Sequence, residues 1–232
     1  MKAKNVHYRY HDQAKMRDTG DFLGQVSRTI NGKPIPSEQH EMVVEAVLRG
    51  LSIQSDDVLL DLCCGNGLLS DRIFERCSGG LGVDFSEYLI DVARANFQGD
   101  GTRDYVLGDV VAYVVGSADT ERFTKALCYG SFAYLDLDDA ASVLRNVHNR
   151  FVNVNRMFIG NLPDKARLKE FYAERSYVDG IENDHDTAIG IWRTEDEFKE
   201  FAHSTGWACE TVRMPEPFFA TYYRYDAILT RR

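Results

Sequence analysis

The chain has 232 residues, 44 % hydrophobic and 27 % charged, with 36 acidic against 27 basic side chains and a formal charge of −9. That length suits one well-buried α/β domain, and the acidic balance predicts no nucleic-acid partner because it repels phosphate backbones. No apolar run approaches a membrane span and the start, MKAKNVHYRYHDQ, lacks a signal-peptide core, so no membrane association and a cytoplasmic protein are expected.

Residues 1–36 read as irregular and polar, punctuated by Gly20, Gly24, Gly32, Pro34 and Pro36. A helix follows, capped by Ser37, with Val43, Val44, Val47, Leu48 and Leu51 at helical spacing. DVLLDLCC is a buried strand, residues 68–77 a short helix, GLGVDFS a second strand and EYLIDVARANF its helix. DYVLGDVV is a third strand, then a charged surface segment; TKALCYGSF is a fourth, followed by the helix DDAASVLRNVHNRF. NRMFIGNLP makes a fifth strand, and the polar stretch 164–190 is long enough to be a lid. TEDEFKEFAHSTGW is a helix ending at Gly206, and ACETVRMPEP with YYRYDAILTRR closes the chain as a strand pair. Strands alternating with helices specify a doubly wound, mainly parallel sheet covered on both faces.

Five cysteines stand at 63, 64, 77, 128 and 209, with no C-x-x-C or H-x-x-x-H spacing. Neighbours on a strand point to opposite faces, so Cys63 and Cys64 are poorly placed to grip one ion. No metal site is expected, and the thiols read as free and mostly buried.

In such a sheet, ligands bind beyond the carboxyl ends of the strands at the switch point. C-G-N-G at 64–67 lies there, where Gly65 and Gly67 permit positive φ and close backbone approach. Asp84 ends the second strand, suited to accept from ribose hydroxyls, and Asp109 ends the third, suited to an adenine edge.

This order of motifs resembles the class I S-adenosylmethionine-dependent methyltransferases over roughly residues 40–160, with a family-like tail. The resemblance implies a Rossmann-like, seven-stranded, mainly parallel sheet with an antiparallel last strand, and S-adenosylmethionine as cofactor. It implies that Asp61, Cys63, Gly65, Asn66 and Gly67 form the first motif and Asp84 the ribose acid, with Phe85 flanking the adenine. Asp109 and Val110 would read the adenine, and Cys128 and Tyr129 would lie beside the methionine portion. The domain would then be residues 37–232, with residues 1–36 as a cover over the active site. Two departures stand out. No Pro-Gly-Gly turn precedes the fifth strand, and CYGSF replaces the Asn/Asp-Pro-Pro-Tyr/Phe run of members that methylate planar amines.

A dinucleotide dehydrogenase fits less well, because Ser70 stands where G-x-G-x-x-G needs its third glycine. The expected function is therefore methyl transfer to a small-molecule acceptor at oxygen, in small-molecule biosynthesis. A small-amine N-methyltransferase and an inactive cofactor-binding module are the alternatives. His40 and His185 are the candidate bases, while His148 and His203 read as surface residues. Arg28 and Lys33 in the cover are candidates to pair with an anionic acceptor. The aromatic residues of FFATYYRYD read mainly as sheet packing, with a part in the acceptor pocket as the alternative.

Overall fold

Leu59–Leu62, buried at all four positions, form β3, the strand about which the main sheet is built. The computed structural model describes residues 11–99 and 101–231, so the first ten residues of the expected cover lie outside the described residues. Before β3 come α1 (Phe22–Gln25), a hairpin of β1 (Thr29–Ile30) and β2 (Lys33–Pro34), and α2 (Ser37–Leu51). After it the chain alternates through α3 (Leu68–Phe74), β4 (Gly80–Asp84), α4 (Glu87–Phe97), β5 (Arg103–Leu107) and α5 (Val110–Gly116). Then follow β6 (Lys125–Tyr129), α6 (Leu137–Arg150), β7 (Arg156–Pro163), α7 (Leu168–Phe171), α8 (Glu195–Ser204), β8 (Trp207–Val212) and β9 (Arg224–Arg231).

The main sheet has seven strands in the order β5-β4-β3-β6-β7-β9-β8. Pairing is parallel from β5 to β7, and β9 runs antiparallel to both of its neighbours. The chain walks outward from β3 to β5 and then returns to β6, so the switch point lies between the ends of β3 and β6. Helices cover both faces. One layer packs Val114, Leu144, Phe198 and Trp207 against the sheet, and the other packs Val47, Ile73 and Ile90. The expected architecture is therefore the observed one. No helix among the described residues is long and apolar enough to cross a membrane.

Local differences have local causes. The expected third strand stops at Leu107, because Asp109 caps α5 by accepting from the Ala112 N–H at 2.8 Å. A carboxylate cap outweighs the strand preference of the following valines. Ser37 is the first residue of α2 and not its cap, which is Pro36, with no side-chain hydrogen bond. The supposedly irregular cover contains the β1–β2 hairpin, turned by Asn31 (φ 51°) and Gly32 (φ 78°), the residue pair that two-residue hairpins favour.

Candidate active site

The turn after β3 takes left-handed conformations at Cys63 (φ 65°), Gly65 (φ 59°) and Gly67 (φ 80°). It is held from the end of β4: Asp84 accepts from the Gly65 N–H through one oxygen and from the Ser86 N–H through the other, both at 2.9 Å. Asn66 faces the opposite way and donates from Nδ2 to Phe22 O at 2.8 Å and to Gln25 Oε1 at 2.9 Å. The segment Phe22–Gln25 is thereby stitched to the glycine turn. It seats closely there, since a Cβ added at Gly65 would come within 2.8 Å of Val26 Cγ1. Phe22 also stacks on Phe97 of α4 at 5.3 Å, and His11 Nδ1 lies 2.8 Å from Ser86 Oγ.

Beneath this segment runs a cavity of about 390 Å³, a size that accepts a small organic ligand. Its wall includes Cys63, Gly65, Asn66, Asp84, Phe85, Asp109, Val110 and Tyr129 among the expected cofactor residues, with Arg28 and His185. Its far end is closed by Asn161, Phe218, Phe219, Tyr223 and Arg224. Asp84, Phe85 and Asp109 converge at one end of it, where acceptors, an aromatic face and a bare glycine turn meet.

Several expected residues stand elsewhere. Asp61 is 2 % exposed behind the turn, where Ser70 Oγ donates to it at 2.5 Å. Burial pushes its pKa up to about 7, against the opposing pull of Ser70 and Arg28. Gly67 is packed under Tyr105 and does not line the cavity. Cys128 is 1 % exposed behind Cys63. Hydrogen bonding to Cys128, with burial, holds the Cys63 thiol well above the ordinary range, so it stays neutral. Lys33 is exposed on β2, outside the cavity. Arg28, at the base of the hairpin, lines the cavity, whereas Lys33, beside the Asn31-Gly32 turn, is left in solvent.

His40 also departs from expectation. It lies behind Arg28, which donates to its Nδ1 at 3.2 Å, and it does not line the cavity. An arginine can only donate, so the ring is neutral with its proton on Nε2. Burial, with Arg28 and Arg72 nearby, lowers its pKa to about 4. His40 therefore orients Arg28 and has no route to an acceptor. His40→Gln, which keeps an acceptor toward Arg28, should hold kcat within about tenfold of wild type, whereas loss of a general base costs about 10²–10⁴. Steady-state kinetics of the variant across pH checks this. His185 does reach the cavity, from a loop that Tyr134 pins by donating to Ala188 O at 2.8 Å.

Asp61 offers a test of the electrostatics. Its pKa in the folded chain stands above its ordinary value of 3.8, so the folded state keeps a proton that the unfolded chain releases. Its contribution to stability is present at low pH and is lost as pH rises toward 7. Asp61→Asn stays neutral throughout. Relative to wild type, the cofactor-free variant should melt higher at about pH 8 than at about pH 5. An equal difference at both pH values would contradict the assignment.

Tyr223 and Arg224 sit in FFATYYRYD, whose aromatic residues read mainly as packing and only secondarily as a pocket wall, and nothing local marks Asn161 as a site residue. It reaches the cavity through a register shift between β7 and β9 at residues 159–162.

Residues 59–152 match the family model described as a methyltransferase domain. A 23S rRNA (uracil(1939)-C(5))-methyltransferase, RlmD, of Marinomonas posidonica is 29 % identical over 140 residues, 58 % of this chain. The chain spans only 28 % of the length of that relative. Among solved structures, the DhpI complex with S-adenosylhomocysteine (SAH) superposes with a TM-score of 0.65 and 12 % identity, covering 99 % of this chain and 96 % of that one. Magnesium protoporphyrin IX methyltransferase (ChlM) of Synechocystis PCC 6803 with bound SAH gives 0.62 and 14 %, covering 84 % of each chain.

These findings correct one expectation. The similarity to an enzyme of ribosomal RNA overturns the exclusion of nucleic acid drawn from the net charge. A summed charge describes the average surface, while a nucleic-acid contact is local. Residues 59–152 thus match a methyltransferase domain, and the chain shares the Rossmann-like fold of S-adenosylmethionine-dependent methyltransferases whose structures hold SAH.

Proposed function

We propose that this chain transfers the methyl group of S-adenosylmethionine to an oxygen of a small acceptor seated against Tyr129, Asn161 and Tyr223. The observation that carries the reading is the cavity itself, which continues past the nucleoside end into an aromatic and basic end beneath the cover. The bound cofactor supplies a methyl group already activated on a sulfonium. The chain's task is then to bind, orient and exclude water.

We assign Asp84 and Phe85 to the ribose and adenine, Asp109 and Val110 to the adenine edge, and Asp61 to Gly67 to the turn below the methionine portion. Arg28 lies within electrostatic reach of Asp61 and projects from the segment seated on Gly65. Its nearest ligand anion is therefore the carboxylate of the cofactor itself, ahead of the acceptor anion expected from the sequence. Oxygen is favoured as the nucleophile because a carboxylate or acidic hydroxyl needs no base, whereas a protonated amine does. Among the described residues, Arg28, Tyr129, Asn161, Tyr223 and Arg224 supply that end with hydrogen-bond donors and no carboxylate.

Methylation of RNA is the second reading, favoured by the similarity to the ribosomal RNA methyltransferase. Incubation with methyl-labelled S-adenosylmethionine and either dialysable metabolites or total RNA from one extract separates the two. Label in the metabolite fraction supports the proposal. Label in RNA replaces it with the second reading. Label in neither, with the cofactor bound, leaves a cofactor-binding module without turnover.

A further inference from the structure

The bulge between β7 and β9 builds a polar corner at the far end of the cavity. Asn161 is held there in a left-handed conformation, φ 66°, which a side chain other than glycine seldom adopts. It is anchored on both sides. Its N–H donates to Asp226 Oδ1 at 2.7 Å, and its carbonyl accepts from Arg224 Nη1 at 2.6 Å. Bulges beside sites re-aim side chains, and this one sends the Asn161 amide toward the end of β6, where a Cβ added at Gly130 would lie 3.7 Å from Nδ2. The Asn161 amide itself has no hydrogen-bond partner among the described residues.

Arg224 shares this corner, its guanidinium 4.7 Å from the Tyr223 ring centroid. Among the described residues no carboxylate lies within ion-pair distance of it. The nearest candidate, Asp226, is committed to the Asn161 backbone and does not line the cavity. The carboxylates that do line it are Asp84, Asp109, Asp136 and Asp139, all at the ends of β4 and β5 or the start of α6. The cavity is thus polarised, acidic toward the nucleoside end and basic at the opposite one. Arg224 is half-buried, and its Nε has no hydrogen-bond partner among the described residues. Among those residues the one carboxylate in its electrostatic reach, Asp226, is tied to the Asn161 backbone, so such a corner is completed by an anion that arrives with a ligand.

On the methyltransferase reading, with Arg28 facing the carboxylate of the cofactor, we infer that Arg224 and the Asn161 amide form an oxyanion subsite that selects acceptors bearing a carboxylate or a phosphate. Asp226 is a positioning residue that fixes the Asn161 backbone. Tyr129 and Tyr223 supply flat walls on which a planar acceptor body can rest.

The test titrates the SAH-saturated protein with benzoate and uridine 5′-monophosphate, and with their neutral counterparts benzamide and uridine. At least one anion should bind about tenfold or more tightly than its neutral counterpart, the gain expected of a charge-assisted bond. Which anion does so identifies the source as a carboxylic acid or a nucleotide phosphate. Arg224→Gln should erase that preference while leaving SAH affinity within about a factor of two. Should that variant not fold, Asn161→Asp, which tolerates the same backbone conformation, should erase it by placing a negative charge in the corner. Neutral probes binding as well as the anions, no saturable anion binding, or a preference that survives both substitutions would overturn the subsite alone. Failure of the wild type to bind SAH would overturn the methyltransferase reading, and the subsite with it.

Discussion

Asp84→Ala should lower cofactor affinity about 10- to 100-fold and destabilise the cofactor-free protein by about 2–4 kcal/mol. Both effects share one cause. The carboxylate accepts from two backbone N–H groups, at Gly65 and Ser86, and it is 6 % exposed. Removing it strands two buried donors and also releases the glycine turn that forms the floor of the cavity. Asp84→Asn keeps one acceptor oxygen and should fall between wild type and alanine on both scales. Titration calorimetry and chemical denaturation measure the two separately. Alanine affinity within about a factor of two of wild type, or an asparagine variant worse than alanine, would contradict the assignment.

The second large effect concerns the cover. Deleting residues 1–30 should leave the sheet folded yet reduce turnover by about 100-fold or more. Among the described residues, none of the deleted segment belongs to either hydrophobic cluster, the earlier of which begins at Val43 with Met42 against it, so the core survives the deletion. The truncation nevertheless removes Val26 from above Gly65, both partners of Asn66, and Arg28 from the cavity wall. What remains is an open crevice in which water reaches the reacting centre. Circular dichroism and single-turnover kinetics together decide the matter. Normal turnover by a folded truncated chain would show that the cover is an appendage.

Why some of this was legible in the sequence is a question of range. The glycine turn, Asp84 and Asp109 sit at strand ends, and strand ends follow from a local pattern of apolar runs and turn residues. Parallel pairing then brings those ends together whatever the rest of the chain does. Asn161 is different. Its role arises from a register shift and from partners 63 and 65 residues away, information that no local window holds. His40 and Lys33 show a third kind of miss. Both lie near the site in sequence, but Lys33 stands beside the hairpin turn, out in solvent, and Arg28 packs between His40 and the cavity. The hairpin itself had a local signal, since Asn31-Gly32 is a favoured two-residue turn. The net charge misled for a further reason: nine excess negative charges constrain the average field and not the patch that meets a partner.

The most direct measurement is titration calorimetry of the full chain with SAH, with NAD as the competing nucleotide. One-to-one saturable binding of SAH, with affinity in about the micromolar range and no detectable heat from NAD, is the expected result. No binding of SAH, or a preference for NAD, would show that the glycine turn and Asp84 serve a different ligand.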